Sequence, residues 1–233
     1  MNSRRKHTRY LVGVSMFSAM AYGVAVACAP LKVSFLSFDV KDAVIALASF
    51  IYGPLSAPLM AATVALLEFL TISSTGAYGL IMNFAASATF SLTASLIYRY
   101  KRTARVALLG LGAAILSTTA VMMLLNIFVT PGYMGVPRSA VIELIPTLLL
   151  PFNLAKALLN SAIVTYLYKP VSIALRRSRL DVRDAFEDAR STHAPSDNKA
   201  SRRKVTRRSV AVATVAFIIS VSALIFLAVM NNK

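Results

Sequence analysis

Lys156 stands in the run Pro151-Phe-Asn-Leu-Ala-Lys-Ala-Leu-Leu-Asn160, in the middle of an otherwise apolar helix. An ammonium group at membrane depth costs roughly 2.5–3.5 kcal/mol on insertion scales, so such a residue faces a cavity, a partner or a substrate. Asn153 precedes it by three residues and Asn160 follows by four. At that spacing all three share one helical face. The result is a polar stripe inside an apolar segment, with a lysine that only donates and amides that both donate and accept.

Other polar residues fall within apolar runs. Asn83 lies in Gly79-Leu-Ile-Met-Asn-Phe84 and Asn126 in Leu124-Leu-Asn-Ile-Phe128. A single amide in a membrane helix can be interhelical glue; several amides with a lysine can form a convergent site. Glu68 either pairs with Lys156 or faces an outer vestibule. Enzymatic chemistry finds little support. The two histidines, His7 and His193, sit in charged polar segments, and Cys28 is the single cysteine. That excludes a disulfide framework and a cysteine-rich zinc site. It also argues against a histidine metal site or catalytic relay, and Asp39 and Asp42 are expected at a loop edge rather than at membrane depth. There is no phosphate-binding G-x-x-x-x-G-K-[ST] run. The chain is expected not to be an enzyme and to carry no cofactor, and any active transport must draw on a gradient or a partner.

The elements that position these residues follow from composition. Of 233 residues 57% are hydrophobic, and the mean hydropathy is +0.67, which points to an all-α membrane protein. Apolar runs fall at about 10–30, 43–53, 56–72, 80–98, 106–129, 147–168 and 209–230, most of them near the ~20 residues that cross a bilayer. The first is expected to be retained rather than cleaved as a signal peptide. The stretch 43–72 could be one helix or two. Gly53-Pro54 and Pro58 favour a break, and charge decides for two spans, the first of them short. With a turn there, the clusters Arg4, Arg5, Lys6, Arg9 and Arg99, Lys101, Arg102, Arg105 fall on one side with the basic segment 169–208. That side is cytoplasmic by the positive-inside rule, which puts the amino terminus inside and the carboxyl terminus outside. The net charge of +16 is thus expected to serve the lipid bilayer rather than nucleic acid. The expected organisation is a six-span membrane domain over 1–175, a basic cytoplasmic linker over 176–208 and an appended C-terminal transmembrane helix over 209–233.

Two further features are open to more than one reading. Ser15, Ala19, Gly23 and Ala27 recur at intervals of four. Such a small-residue stripe lets another helix approach closely, either a partner's or one inside the bundle. The loop from Leu31 to Asp42 carries Phe35 and Phe38, which can lid an outward cavity or anchor at the interface.

These residues resemble the substrate-binding S component of energy-coupling factor (ECF) vitamin transporters, in particular the riboflavin-specific branch. The resemblance spans about residues 8–175. It rests on Phe38-Asp-Val-Lys-Asp42, Phe50-Ile-Tyr-Gly-Pro54, Gly76-Ala-Tyr-Gly79, Asn83-Phe-Ala-Ala-Ser87, the Ile97-Tyr-Arg99 exit, Leu125-Asn-Ile-Phe128 with Pro131-Gly-Tyr133, and Pro151-Phe-Asn-Leu-Ala-Lys156. Asn126 and the last motif are the most specific; the Gly-Pro turn is shared more widely. The resemblance implies a six-helix bundle that binds one vitamin near its outer face. It implies that Asn126, Asn153 and Lys156 hold the polar edge of a flavin, that Asn83 lies near it and that Phe38 belongs to the gating loop. The family's small-x-x-x-small coupling motif aligns with Ser15-Met-Phe-Ser-Ala19, so Ser15, Ala19 and Gly23 are expected to meet a transmembrane coupling subunit that works with two ATP-binding-cassette ATPases. Riboflavin, or a related vitamin, is then the transported ligand. Two features depart from the pattern: Glu68 occupies a region where riboflavin members often carry a basic residue, and the chain continues beyond six spans. The alternatives are an S component for another vitamin or small aromatic substrate, a gradient-driven transporter, and a structural or regulatory membrane protein.

Overall fold

The computed structural model describes residues 3–33 and 36–177. The expected seventh span, the linker beyond Arg177 and Phe35 lie outside these residues. Helix α1 (Ser3–Cys28) leads into a two-stranded hairpin, β1 (Lys32–Val33) and β2 (Leu36–Ser37), and then into α2 (Lys41–Tyr52), α3 (Ser56–Thr71), α4 (Gly76–Lys101) and α5 (Ala104–Met134). A short α6 (Arg138–Leu144) runs through one π-helical turn (Ile145–Leu149) into α7 (Leu150–Arg177). α1, α4, α5 and the continuous segment Arg138–Val171 are long and apolar enough to cross a membrane. Exposed Leu11, Met20, Leu66, Leu109, Leu116 and Leu158 form the kind of outer surface that only lipid solvates without penalty.

The break between the second and third spans is where glycine and proline put it. α2 ends at Tyr52, and Gly53 takes φ 98° while its N–H closes the helix on the Ser49 carbonyl, a conformation favourable only for glycine. Twelve residues reach about 18 Å, too short to cross the hydrocarbon core. α2 is instead enclosed: every residue but Val44 is buried, between α1, α3, α4 and α7. Two expected boundaries shift. α5 carries Pro131 and continues to Met134, and the last span starts at Arg138 rather than near 147.

The dry part of the core gathers Leu47, Phe50, Phe90, Tyr98, Leu111 and Val164 around small Ala43, Ala46, Ala94, Ala114 and Ala157. Phe50 stacks on Tyr98 with ring centroids 4.4 Å apart, and the Tyr98 and Tyr168 hydroxyls meet at 2.6 Å. α4 and α5 approach so closely that a Cβ on Gly110 would lie 2.8 Å from the Ala94 carbonyl oxygen. Small residues at such crossings let membrane helices pack backbone to backbone.

Candidate functional site

The stripe on α7 does two different jobs. Asn160 is structural. Val40, which precedes α2, offers no side-chain cap, so the exposed first N–H groups of that helix need another acceptor. Asn160 supplies it: its Oδ1 accepts from the Ala43 N–H at 2.7 Å, while its Nδ2 donates to the Asp39 carbonyl at 3.2 Å. A side chain 117 positions away thereby fixes the start of α2 and the charged loop before it. Lys156, one turn earlier, donates to Asp39 Oδ2 at 2.8 Å and to the Ser37 carbonyl at 3.3 Å. It is held by the loop, not by Glu68.

Glu68 belongs to a second centre. Both its oxygens accept from Lys41 Nζ at 2.6 Å, and Asn83 Nδ2 donates to Oε2 at 2.7 Å. Lys41, which falls within the segment read as the Leu31–Asp42 loop, is almost wholly buried, as are Asp39 and Asp42. Asp42 accepts from the Ser87 hydroxyl. Asp39, outside the helices, is 3.8 Å from Lys41. Burial pushes its carboxyl up, but the charges of Lys156 and Lys41 outweigh that and hold it below the ordinary carboxylate range.

These groups line one cavity. Its interior holds about 120 Å³ of space and opens outward through a broad mouth. Phe152, Asn153 and Lys156 line it from α7, Lys41, Glu68 and Asn83 from α2, α3 and α4, Ser73, Ser74 and Thr75 from the α3–α4 connection, and Phe90, Thr118 and Met122 also contribute; the two lysines meet at Asp39, whose Oδ2 lies 2.8 Å from Lys156 and 3.8 Å from Lys41. Asp39 Oδ1 and Thr118 Oγ1 are buried there without a hydrogen-bond partner among the described residues. Orphaned buried polar atoms are expensive.

The structure thus brings Asn83, Asn153 and Lys156 onto one cavity. Phe38 stands behind its wall, half-buried and edge to face with Phe152, ring centroids 5.8 Å apart. Asn126 is placed differently. It is fully buried, donates to the Met122 carbonyl at 2.7 Å, accepts from Thr130 at 2.9 Å and is not among the cavity-lining residues. These bonds use one of its two N–H donors and one of its two acceptor positions. Sequence reasoning left out Asp39, Lys41 and Asp42 as site residues. Their signal was present: three charges within four positions, directly before a fully apolar run.

On α1 the small stripe points away from the bundle. Ser15, Ala19, Gly23 and Ala27 are exposed, while Val14, Phe17, Ala21 and Ala25 are buried. Internal packing of that stripe is therefore set aside.

An apolar helical bundle whose cavity is lined by both charged and apolar side chains has the architecture of a membrane ligand-binding protein. Residues 9–171 match the family of ECF transporter substrate-specific components, and the chain belongs to that family. The riboflavin transporter RibU of Staphylococcus aureus (strain TCH60) is 32% identical over 189 residues, covering 76% of this chain and 100% of the relative. A solved S component of a bacterial ECF transporter superposes with a TM-score of 0.62 at 30% identity, covering 72% of this chain and 98% of that one.

Proposed function

We propose that this chain is the high-affinity riboflavin-binding subunit of an ECF-type, ATP-driven importer. The observation that carries the reading is the convergence of Asn153 and Lys156 on a cavity with aromatic and thioether walls, in a chain similar over most of its length to a riboflavin transporter. The pyrimidine edge of a flavin offers carbonyl acceptors and an N–H donor. Lysine and asparagine answer both, and Phe152, Phe90 and Met122 can cover the ring faces. Asn83 lines the same cavity beside Glu68, Phe38 backs the gate, and Asn126 joins the site only if its amide turns.

In this reading the exposed face Ser15, Ala19, Gly23 docks a transmembrane coupling subunit that works with two ATP-binding-cassette ATPases. The protein sits in the cell membrane with its amino terminus inside. Residues 1–175 form the capture domain, 176–208 a basic cytoplasmic tether, and 209–233 a last span ending outside. The test is the ligand retained by the protein purified in detergent. A yellow, fluorescent flavin is the expected finding. Retention of another vitamin with no measurable flavin affinity overturns the substrate, and the Lys41–Glu68 pair is the feature that would favour that second reading.

A further inference from the structure

The two ammonium groups of the cavity are not equivalent, and neither is available to an anion. Lys156 is taken by Asp39. Lys41 is clasped by both oxygens of Glu68. These are the only cations among the cavity-lining residues, against the three carboxylates Asp39, Asp42 and Glu68. The part of the wall around Lys41 and Glu68 therefore presents an acceptor rather than a free positive charge. A carboxylate accepts at about four positions, and Glu68 uses three, two for Lys41 and one for Asn83. Beside it, Ser73, Ser74 and Thr75 add hydroxyl-bearing residues to the lining. This is a wall suited to a chain of neutral hydroxyl groups.

We propose that Glu68 is the specificity-determining residue of this wall: it accepts from a neutral polyol chain and, by occupying Lys41, denies a phosphate ester the cation it would need. The inference rests on the riboflavin reading, with the ring edge at Asn153 and Lys156 and the ribityl chain directed toward Glu68 and Asn83. A phosphate at the end of that chain brings nearly two negative charges toward a carboxylate. Like charges placed together in a desolvated site suppress the wrong partner strongly. Freed from Glu68, Lys41 would do the reverse.

The experiment compares three probes on the full-length detergent-purified protein, by quenching of flavin fluorescence: riboflavin, riboflavin 5′-phosphate, and lumiflavin, which carries the ring with a methyl group in place of the ribityl chain. The parent is expected to bind riboflavin at least about tenfold more tightly than its phosphate. In Glu68→Gln, Lys41 is released, and the phosphate penalty is expected to shrink by about tenfold or more while lumiflavin affinity stays within about twofold. The double variant Lys41→Gln/Glu68→Gln leaves no lone buried charge from the pair. It is expected to keep lumiflavin binding, to lose part of the preference for riboflavin over lumiflavin, and to show none of the phosphate gain. An unchanged riboflavin-to-phosphate ratio in Glu68→Gln overturns the proposal. Should Glu68→Gln fail to fold, an unchanged riboflavin-to-lumiflavin ratio in the double variant overturns it as well. If the parent binds none of the three, the riboflavin reading fails; if the parent binds riboflavin and the ratios do not move, only the role of Glu68 fails.

Discussion

The two halves of α4 meet opposite environments. Its first half puts Gly79, Met82, Asn83 and Ala86 on the cavity and ties itself to α3 through the bond from Asn83 to Glu68. Beyond Phe90, which touches both cavity and core, its second half is buried at Ser91 and again from Ala94 to Leu96, and it packs Ala94 and Tyr98 into the dry core. Charge networks set the first half and close contact sets the second. One helix thus carries a recognising end on a rigid end, and the two can be disturbed separately.

The largest effect is expected at the polar end. Lys156→Ala removes a charge-assisted contact and weakens riboflavin binding about ten- to a hundredfold, measured by titration of flavin fluorescence. The insertion cost of a membrane lysine, taken alone, has stability rising on its removal. The pair with Asp39 reverses that sign. The variant leaves Asp39 buried with Lys41 3.8 Å away as its remaining cation, and a fall of roughly 3 kcal/mol in stability is expected, read as a lower midpoint of thermal unfolding in detergent.

At the dry end Gly110→Leu drives a side chain against the Ala94 carbonyl. A loss of about 1–3 kcal/mol is expected, with riboflavin affinity of the folded fraction within about twofold of the parent. A matched loss of affinity would show that the two ends of α4 are coupled. Tyr98→Phe is milder. It deletes the hydroxyl contact with Tyr168 and should lower stability by about 0.5–1.5 kcal/mol without moving the binding curve. The smallest effect on both readouts belongs to Ala19→Leu. An exposed position tolerates bulk within about 0.5 kcal/mol, and riboflavin binding should be that of the parent. Uptake into cells that supply the coupling subunit and ATPases should nevertheless collapse, because two backbones can no longer approach closely. Normal uptake by this variant would move the coupling surface away from the stripe.

Much of this arrangement was legible in the sequence, because it is local. The runs of apolar residues, the Gly53-Pro54 break and the shared face of Asn153, Lys156 and Asn160 follow from periodicity and from backbone restrictions within a few positions. The pairing of charges was not legible. Glu68 was expected either to pair with Lys156 or to face an outer vestibule, and it pairs instead with Lys41, 27 residues upstream, because burial of α2 carries its first residue into the core. Asn126 shows a signal that was available and went unused. Thr130 follows it by four and sits on the same face, so the amide had a partner within its own helix.

The π-helical turn at Ile145–Leu149 has a consequence for the azimuth of the site. Pro146 and Pro151 lack the N–H groups that an α-helical ladder requires, and Leu150 instead donates across five residues to Ile145. Such a turn holds one residue more than an α turn, and each residue of an α-helix advances the face by about 100°. The direction in which Asn153 and Lys156 point is therefore dialled by a single inserted residue upstream. Were the same residues rewound as α-helix with none removed, the whole polar stripe would swing by about 100° from the cavity toward a neighbouring helix or lipid, whereas removing one position within 145–149 as the turn rewinds would keep the stripe on the cavity.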